Sequence, residues 1–141
     1  MKTWFYVADD VQLLDGGKML MVGVYPDHAL NVNFPKGITE RPSIERPTTV
    51  HSLTLAVSIG ALPAGKWHVE PIIRLPNGQS IQSITPLDIE ASEAGSINLL
   101  LKFTPLLVPM EGIYKLEFEI NGEKLSFPLT IQFLPKIEAL G

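Results

Sequence analysis

The stretch Glu111–Phe133, EGIYKLEFEINGEKLSFPLTIQF, constrains the fold more than any other part of the chain. Tyr114, Leu116, Phe118 and Ile120 alternate with Lys115, Glu117 and Glu119, the period of two that marks a strand with one buried face. After Asn121-Gly122 the pattern resumes with Leu125, Phe127, Leu129, Ile131 and Phe133. Asn-Gly is the preferred pair in a type I′ turn, because both positions need positive φ. A two-residue loop sets the register: Ile120 opposite Glu123, Glu119 opposite Lys124, Phe118 opposite Leu125, and Leu116 opposite Phe127. Apolar side chains then meet on one face and Glu119 meets Lys124 on the other. A slip of one residue would turn every side chain to the wrong face. Pro128 falls opposite Lys115 at a non-hydrogen-bonded position, where its missing N–H points away from the partner strand. Proline there predicts a sheet edge or a bulge, at least locally.

Length and composition bound the rest. With 141 residues the chain is expected to be one domain, 1–141, long enough to bury a core. Hydrophobic residues make up 45% and charged residues 18%, which excludes a disordered chain. Eleven glycines and twelve prolines in a patterned sequence predict many turns, and with them an all-β architecture. A net charge of −4, spread without runs, argues against nucleic acid as a partner, which needs a clustered basic patch. The absence of cysteine excludes disulfides, thiolate catalysis and Cys-based zinc sites. The start, MKTWFYVADD, has too short an apolar run for a signal peptide, and Met19–Tyr25 is too short to span a membrane. The expectation is a cytoplasmic protein without a membrane partner.

Taken in order, Thr3–Ala8 (TWFYVA) is apolar on both faces and predicts a strand buried inside the fold. Asp15-Gly16-Gly17 turns the chain into Met19–Tyr25 (MLMVGVY), again without alternation and so read as a strand covered on both sides. The two runs are expected to pair, with Gly23 marking a bulge or a close approach. Leu30, Val32 and Phe34 predict a short strand, and residues 35–49, with three prolines and mixed charge, a long loop. Val50–Ile59 alternates, with Leu53, Leu55, Val57 and Ile59 inward. Lys66–Leu75 reads as one strand with Trp67, Val69, Pro71, Ile73 and Leu75 on a shared face. Pro76-Asn77-Gly78 predicts a turn into a further strand, Gln79–Ile84. Leu87 and Ile89 suggest a short extra strand. Ile84–Ala94 is the only helical candidate, cut short by Pro86. Ile97–Phe103 is a strand, and Thr104–Glu111 an apolar crossover.

Three stretches carry a resemblance: Ala8–Tyr25 (ADDVQLLDGGKMLMVGVY), the hairpin from Gly65-Lys66-Trp67 to Leu75-Pro76-Asn77-Gly78, and Gly112–Leu125 (GIYKLEFEINGEKL). Together they resemble a family of small bacterial proteins of unknown function. Its members open with a strand, a short acidic turn, a Gly-Lys pair and a Leu-x-Gly-hydrophobic strand. They close with a Gly-x-Tyr strand and an Asx-Gly hairpin. The resemblance spans most of the chain apart from residues 26–49 and implies an immunoglobulin-like β-sandwich. It carries over no catalytic or binding residue. Gly112-Ile113-Tyr114 also resembles the tyrosine corner of immunoglobulin-like domains, with Leu116 where antibody domains carry cysteine.

Candidate chemistry is sparse. Asp9, Asp10 and Asp15 bracket the first turn, with Asp27 beyond the next strand; clustered carboxylates suit calcium, but aspartates at turns more often cap backbone N–H groups. His28, His51 and His68 are the three histidines, and His51 and His68 fall off the inward phase of their strands, so both are expected in solvent. A metal or triad role would need all three to converge with a carboxylate. Asp15-Gly16-Gly17-Lys18 lacks the spacing and following helix of a phosphate loop. Trp67 in phase with Val69 and Ile73 reads as a core residue rather than a sugar platform, and Trp4 is also expected in the core. Leu106-Leu107-Val108-Pro109-Met110 is either an exposed partner patch or a plug at the end of the sheets, and the plug is the favoured reading.

The sequence thus predicts a single antiparallel immunoglobulin-like β-sandwich of about eight or nine strands, non-enzymatic, with no catalytic, cofactor or metal residues. Its expected role is protein–protein interaction through loops or edge-strand addition. Exposed edges and a mean hydropathy slightly above zero add self-association as a dimer. The alternative is a small-ligand module holding sugar or calcium at the Asp-rich turn or the 26–49 loop. An enzyme using His and Asp in a cleft is the third reading, and it requires the histidines to lie close together.

Overall fold

Alternating runs and tight turns dictate strands. Twelve form among the described residues, with one short 3-10 turn at Asp15–Gly17 and no α-helix. The computed structural model describes residues 2–33, 41–91 and 95–134. One four-stranded sheet is antiparallel throughout, in the order β2 (Met19–Val24), β1 (Lys2–Leu13), β5 (Leu53–Leu62), β9 (Gly95–Phe103). The other has the order β3 (Ala29–Asn33), β12 (Glu123–Leu134), β11 (Gly112–Ile120), β7 (Ile72–Arg74), and is mixed because β3 runs parallel to β12. Two ribbons accompany them, β4 (Thr48–Val50) with β10 (Leu106–Val108), and β6 (Gly65–Val69) with β8 (Leu87–Ala91).

Both sheets feed one core. Val7, Leu55, Val57 and Leu101 come from the first, and Leu116, Phe118, Leu129 and Ile131 from the second. The rings of Phe5 and Phe127, one from each sheet, stack with centroids 5.1 Å apart.

The β11–β12 hairpin has the register that its turn and its alternation require, from Ile120 opposite Glu123 to Leu116 opposite Phe127. Asn121 (φ +53°) and Gly122 (φ +74°) are both left-handed, as a type I′ turn demands. Pro128 does face Lys115, and β3 joins the far side of β12 only from Thr130 onward. The proline therefore sits on a locally open edge of a strand that is interior further along. Tyr114 is fully buried, and its hydroxyl donates to the Met110 carbonyl at 2.6 Å. Burial pushes its phenol up to about 12.

Several expectations need correction. Met19–Val24 does pair with β1, but it is an edge strand and not one covered on both sides. Trp4 is 47% exposed, resting on Gly60 outside the core, so only Phe5 and Val7 of that run point inward. Lys66–Leu75 is two strands. The ladder breaks at Glu70-Pro71, and β6 pairs with β8 whereas β7 pairs with β11. Val69, Pro71, Ile73 and Leu75 nevertheless stay buried on a shared face. The turn at Pro76-Asn77-Gly78 forms, closed by Leu75 N–H to Gln79 O at 2.8 Å, but no strand follows over Gln79–Ile84. The split strand, together with the short β4 and β10, raises the strand number above the expected eight or nine. The helical candidate forms no helix where it is described, and Leu87–Ala91 within it is β8. Phe34, residues 35–40 of the long loop and residues 92–94 lie outside the described residues.

Candidate functional site

The exposed large hydrophobic side chains of the described residues gather on the β1–β2 hairpin. β1 pairs with β5 only as far as Ala8 opposite Thr54, whereas its pairing with β2 continues to Leu13 opposite Met19. Residues 9–13 and β2 therefore run on past the end of the β5 ladder. On one side of β2, Met19 and Met21 pack with Tyr6 and Leu100 against a small second cluster of Ala8, Val11 and Ala56. Leu20 (47%), Val22 (54%) and Val24 (48%) stand exposed. The strand's far edge has no strand partner among the described residues, and the strand carries no charge.

Edges of this kind are ordinarily guarded by charge, proline or a bulge. Gly23 (φ +68°) is the one irregularity within β2, and a Cβ there would collide with the carboxylate of Asp9. Asp9 Oδ1 in turn accepts from the Tyr25 hydroxyl at 2.7 Å. Burial, then the bond to Asp9 and its charge, push the Tyr25 phenol up to about 12. Asp10 accepts from Gln12 at 3.3 Å and pairs with Lys102 at 3.4 Å; the Gln12 bond leads in holding its carboxyl below the usual range. Asp9 and Asp10 thus have separate protein partners. Among the described residues no three His, Asp or Glu side chains converge as a metal site would require.

A second surface feature is a cleft of about 580 Å³ beside β7, β11 and β12, lined by His68, Glu70, Arg74, Glu117 and Lys124 among others. His68 Nδ1 lies 2.7 Å from Asp88 Oδ1, and its Nε2 lies 3.1 Å from Glu70 Oε1. The Asp88 bond first, then the Glu70 bond, raise the affinity of this imidazole for its proton. Both ring nitrogens are engaged by carboxylates, so neither holds a hydroxyl in the way a triad histidine must. Arg74 Nε donates to Glu117 Oε1 at 2.8 Å across the cleft floor.

The histidines lie on three separate elements. His28 follows β2 and bonds the Phe5 carbonyl, His51 is exposed between β4 and β5, and His68 is on β6. Trp67 packs half-buried against the core, its indole N–H enclosed with no partner among the described residues. Leu106, Val108 and Pro109 are buried, so that crossover closes the core and is not an exposed patch. Arg41, in the described part of the long loop, pairs with Glu111 at 3.2 Å. No helix among the described residues is long and apolar enough to cross a membrane.

No protein-family model matches this chain. No curated protein matches it either, and its function must be argued from its own residues. Sequence reasoning missed the open edge, because MLMVGV reads alike whether one face or both are covered. The single local signal was Gly23, which was expected to mark a bulge or a close approach.

Proposed function

We infer that this chain is an immunoglobulin-like β-sandwich, non-enzymatic and cytoplasmic, that binds another protein along β2. Pairing order supports the fold. β1, β5 and β9 lie side by side as strands A, B and E do in such domains, and β7, β11 and β12 as C, F and G do. Tyr114 on β11 supplies the corner bond expected near the start of strand F. The function rests on one observation. Six of the ten exposed large hydrophobic side chains among the described residues (Trp4, Leu13, Leu14, Leu20, Val22 and Val24) belong to the β1–β2 hairpin. An apolar, uncharged strand whose far edge has no strand partner among the described residues is suited to edge addition, in which backbone hydrogen bonds give affinity and side chains give selectivity.

The test is a tagged pull-down from the native host's cytosol with the wild type and with Val22→Lys. A stoichiometric partner held by the wild type and lost from the variant supports the reading; equal recovery with both removes β2 from it. The second reading places a small ligand in the cleft beside His68, favoured by a volume within the range of small-molecule sites. A thermal melt unshifted by calcium or a panel of sugars would dismiss it.

A further inference from the structure

We propose that Asn121 is a site of spontaneous covalent modification, its amide converting to a carboxylate through a cyclic imide with Gly122. Asn77, in the same dipeptide, is held back by its turn. The chain contains two Asn-Gly pairs, Asn77-Gly78 and Asn121-Gly122. Glycine carries no Cβ, so it leaves its own backbone nitrogen unhindered. That nitrogen attacks the asparagine Cγ and forms the new C–N bond of a five-membered imide. The bond from Cγ to Nδ2 breaks, and ammonia leaves with the proton the backbone amide gives up. Water then opens the ring. Opening at Cγ gives aspartate; opening at the main-chain carbonyl gives isoaspartate, whose backbone is longer by a methylene.

The structure presents the two pairs differently. At the first, the Gly78 N–H donates to the Leu75 carbonyl at 2.9 Å, so the nitrogen that must lose its proton holds it in a bond. Asn77 Oδ1 accepts from the Gln79 N–H, and Asn77 Nδ2 donates to Gln79 Oε1, both at 2.9 Å. Arg74 Nη1 adds a bond to the Gly78 carbonyl at 3.2 Å. Nucleophile, electrophile and leaving group are all tied. At the second, Asn121 and Gly122 are exposed and lie beyond the last ladder pair, Ile120 opposite Glu123. Among the described residues nothing bonds the Asn121 amide or the Gly122 N–H. Open space surrounds both glycines, so hydrogen bonding is what separates the sites.

The two products differ in consequence. Asp-Gly suits the same type I′ turn, so the hairpin survives with a further negative charge beside Glu119 and Glu123. Isoaspartate lengthens a two-residue loop and disturbs the register that loop sets.

Peptide mapping by mass spectrometry tests this on the intact protein aged at mildly alkaline pH, which favours the deprotonated amide. Conversion at Asn121 is expected to run several-fold ahead of Asn77, read as the mass gain of NH2 replaced by OH. In denaturant the two rates should converge, since the fold alone separates two identical dipeptides. Equal rates in the folded protein, Asn77 ahead, or an Asn121 that stays intact overturns the proposal. A lead of Asn121 that persists undiminished in denaturant overturns it too, because local sequence would then be the cause.

Discussion

His28 Nε2 lies 2.9 Å from the Phe5 carbonyl, while the carbonyl of His28 itself accepts from Thr130 N–H at 2.8 Å. A carbonyl can only accept, so Nε2 carries the proton in this contact. Phe5 belongs to the first sheet and Thr130 to the second. One residue, held in the left-handed region (φ +51°), thus ties the two sheets where the chain crosses between them. Its ring also meets Phe5 edge-on, with centroids 4.9 Å apart.

Removing that tie should be felt in stability. His28→Ala leaves the Phe5 carbonyl without its side-chain donor in a half-buried site, a loss of about 1–3 kcal/mol. Urea denaturation of wild type and variant checks it; equal midpoints would mean that water replaces the imidazole at no cost.

Tyr25 and Asp9 predict a titration. The Tyr25 phenol, raised to about 12, keeps its proton in the folded state above pH 10, where an unfolded tyrosine loses it. Its contribution is therefore fully present below pH 10 and lost as pH rises from 10 towards 12. Asp9→Asn removes the anion that accepts its hydrogen bond, and the phenol should ionise at lower pH. Absorbance of tyrosinate in the two proteins reads this; coincident curves would reject the coupling.

Gly23→Ala should disturb the same pair through the backbone. A side chain in the left-handed region costs about 1–2 kcal/mol, and here the new methyl group also displaces the Asp9 carboxylate. A lowered melting temperature together with an earlier Tyr25 titration is the expected signature. Loss of stability with the titration unmoved would show that Asp9 swings aside without releasing Tyr25.

His68 offers a pH readout on the β6–β8 ribbon. Asp88 first and Glu70 second raise its proton affinity in the folded state. The stabilising effect of the charged ring is present below the ordinary histidine value and fades as pH climbs through the raised one. By NMR, Asp88→Asn should lower the midpoint of the His68 ring protons more than Glu70→Gln does. The reverse ranking would contradict the geometry, in which the Asp88 contact is the shorter.

Tyr114 tests the corner bond. Tyr114→Phe keeps the buried ring and leaves the Met110 carbonyl unpaired, for a cost of about 1–3 kcal/mol. Chemical denaturation with an unchanged dependence on denaturant would confine the effect to that bond.

Some of this was legible without coordinates. The β11–β12 register follows from Asn121-Gly122 and from alternation around it, two local signals that agree. Pro128 could be placed at a local edge because a missing N–H is a property of one residue. Tyr114 could be placed on the inward face from its alternation with Leu116 and Phe118. Exposure of Leu20, Val22 and Val24 was not legible. It depends on β5 leaving β1 at Ala8, and on no strand among the described residues lining the far side of β2. Nor was the division of Lys66–Leu75, since Pro71 signals a break but does not say that β8 and β11 wait on either side of it.

By itself the sequence determined where most of the strands lie and how the last hairpin pairs. Those are contests between residues a few positions apart, settled by turn φ angles and a period of two. Only the tertiary structure decided which apolar strand is covered and which is left open. Burial is conferred by segments distant in the chain, and an uncovered valine has the same local pattern as a covered one.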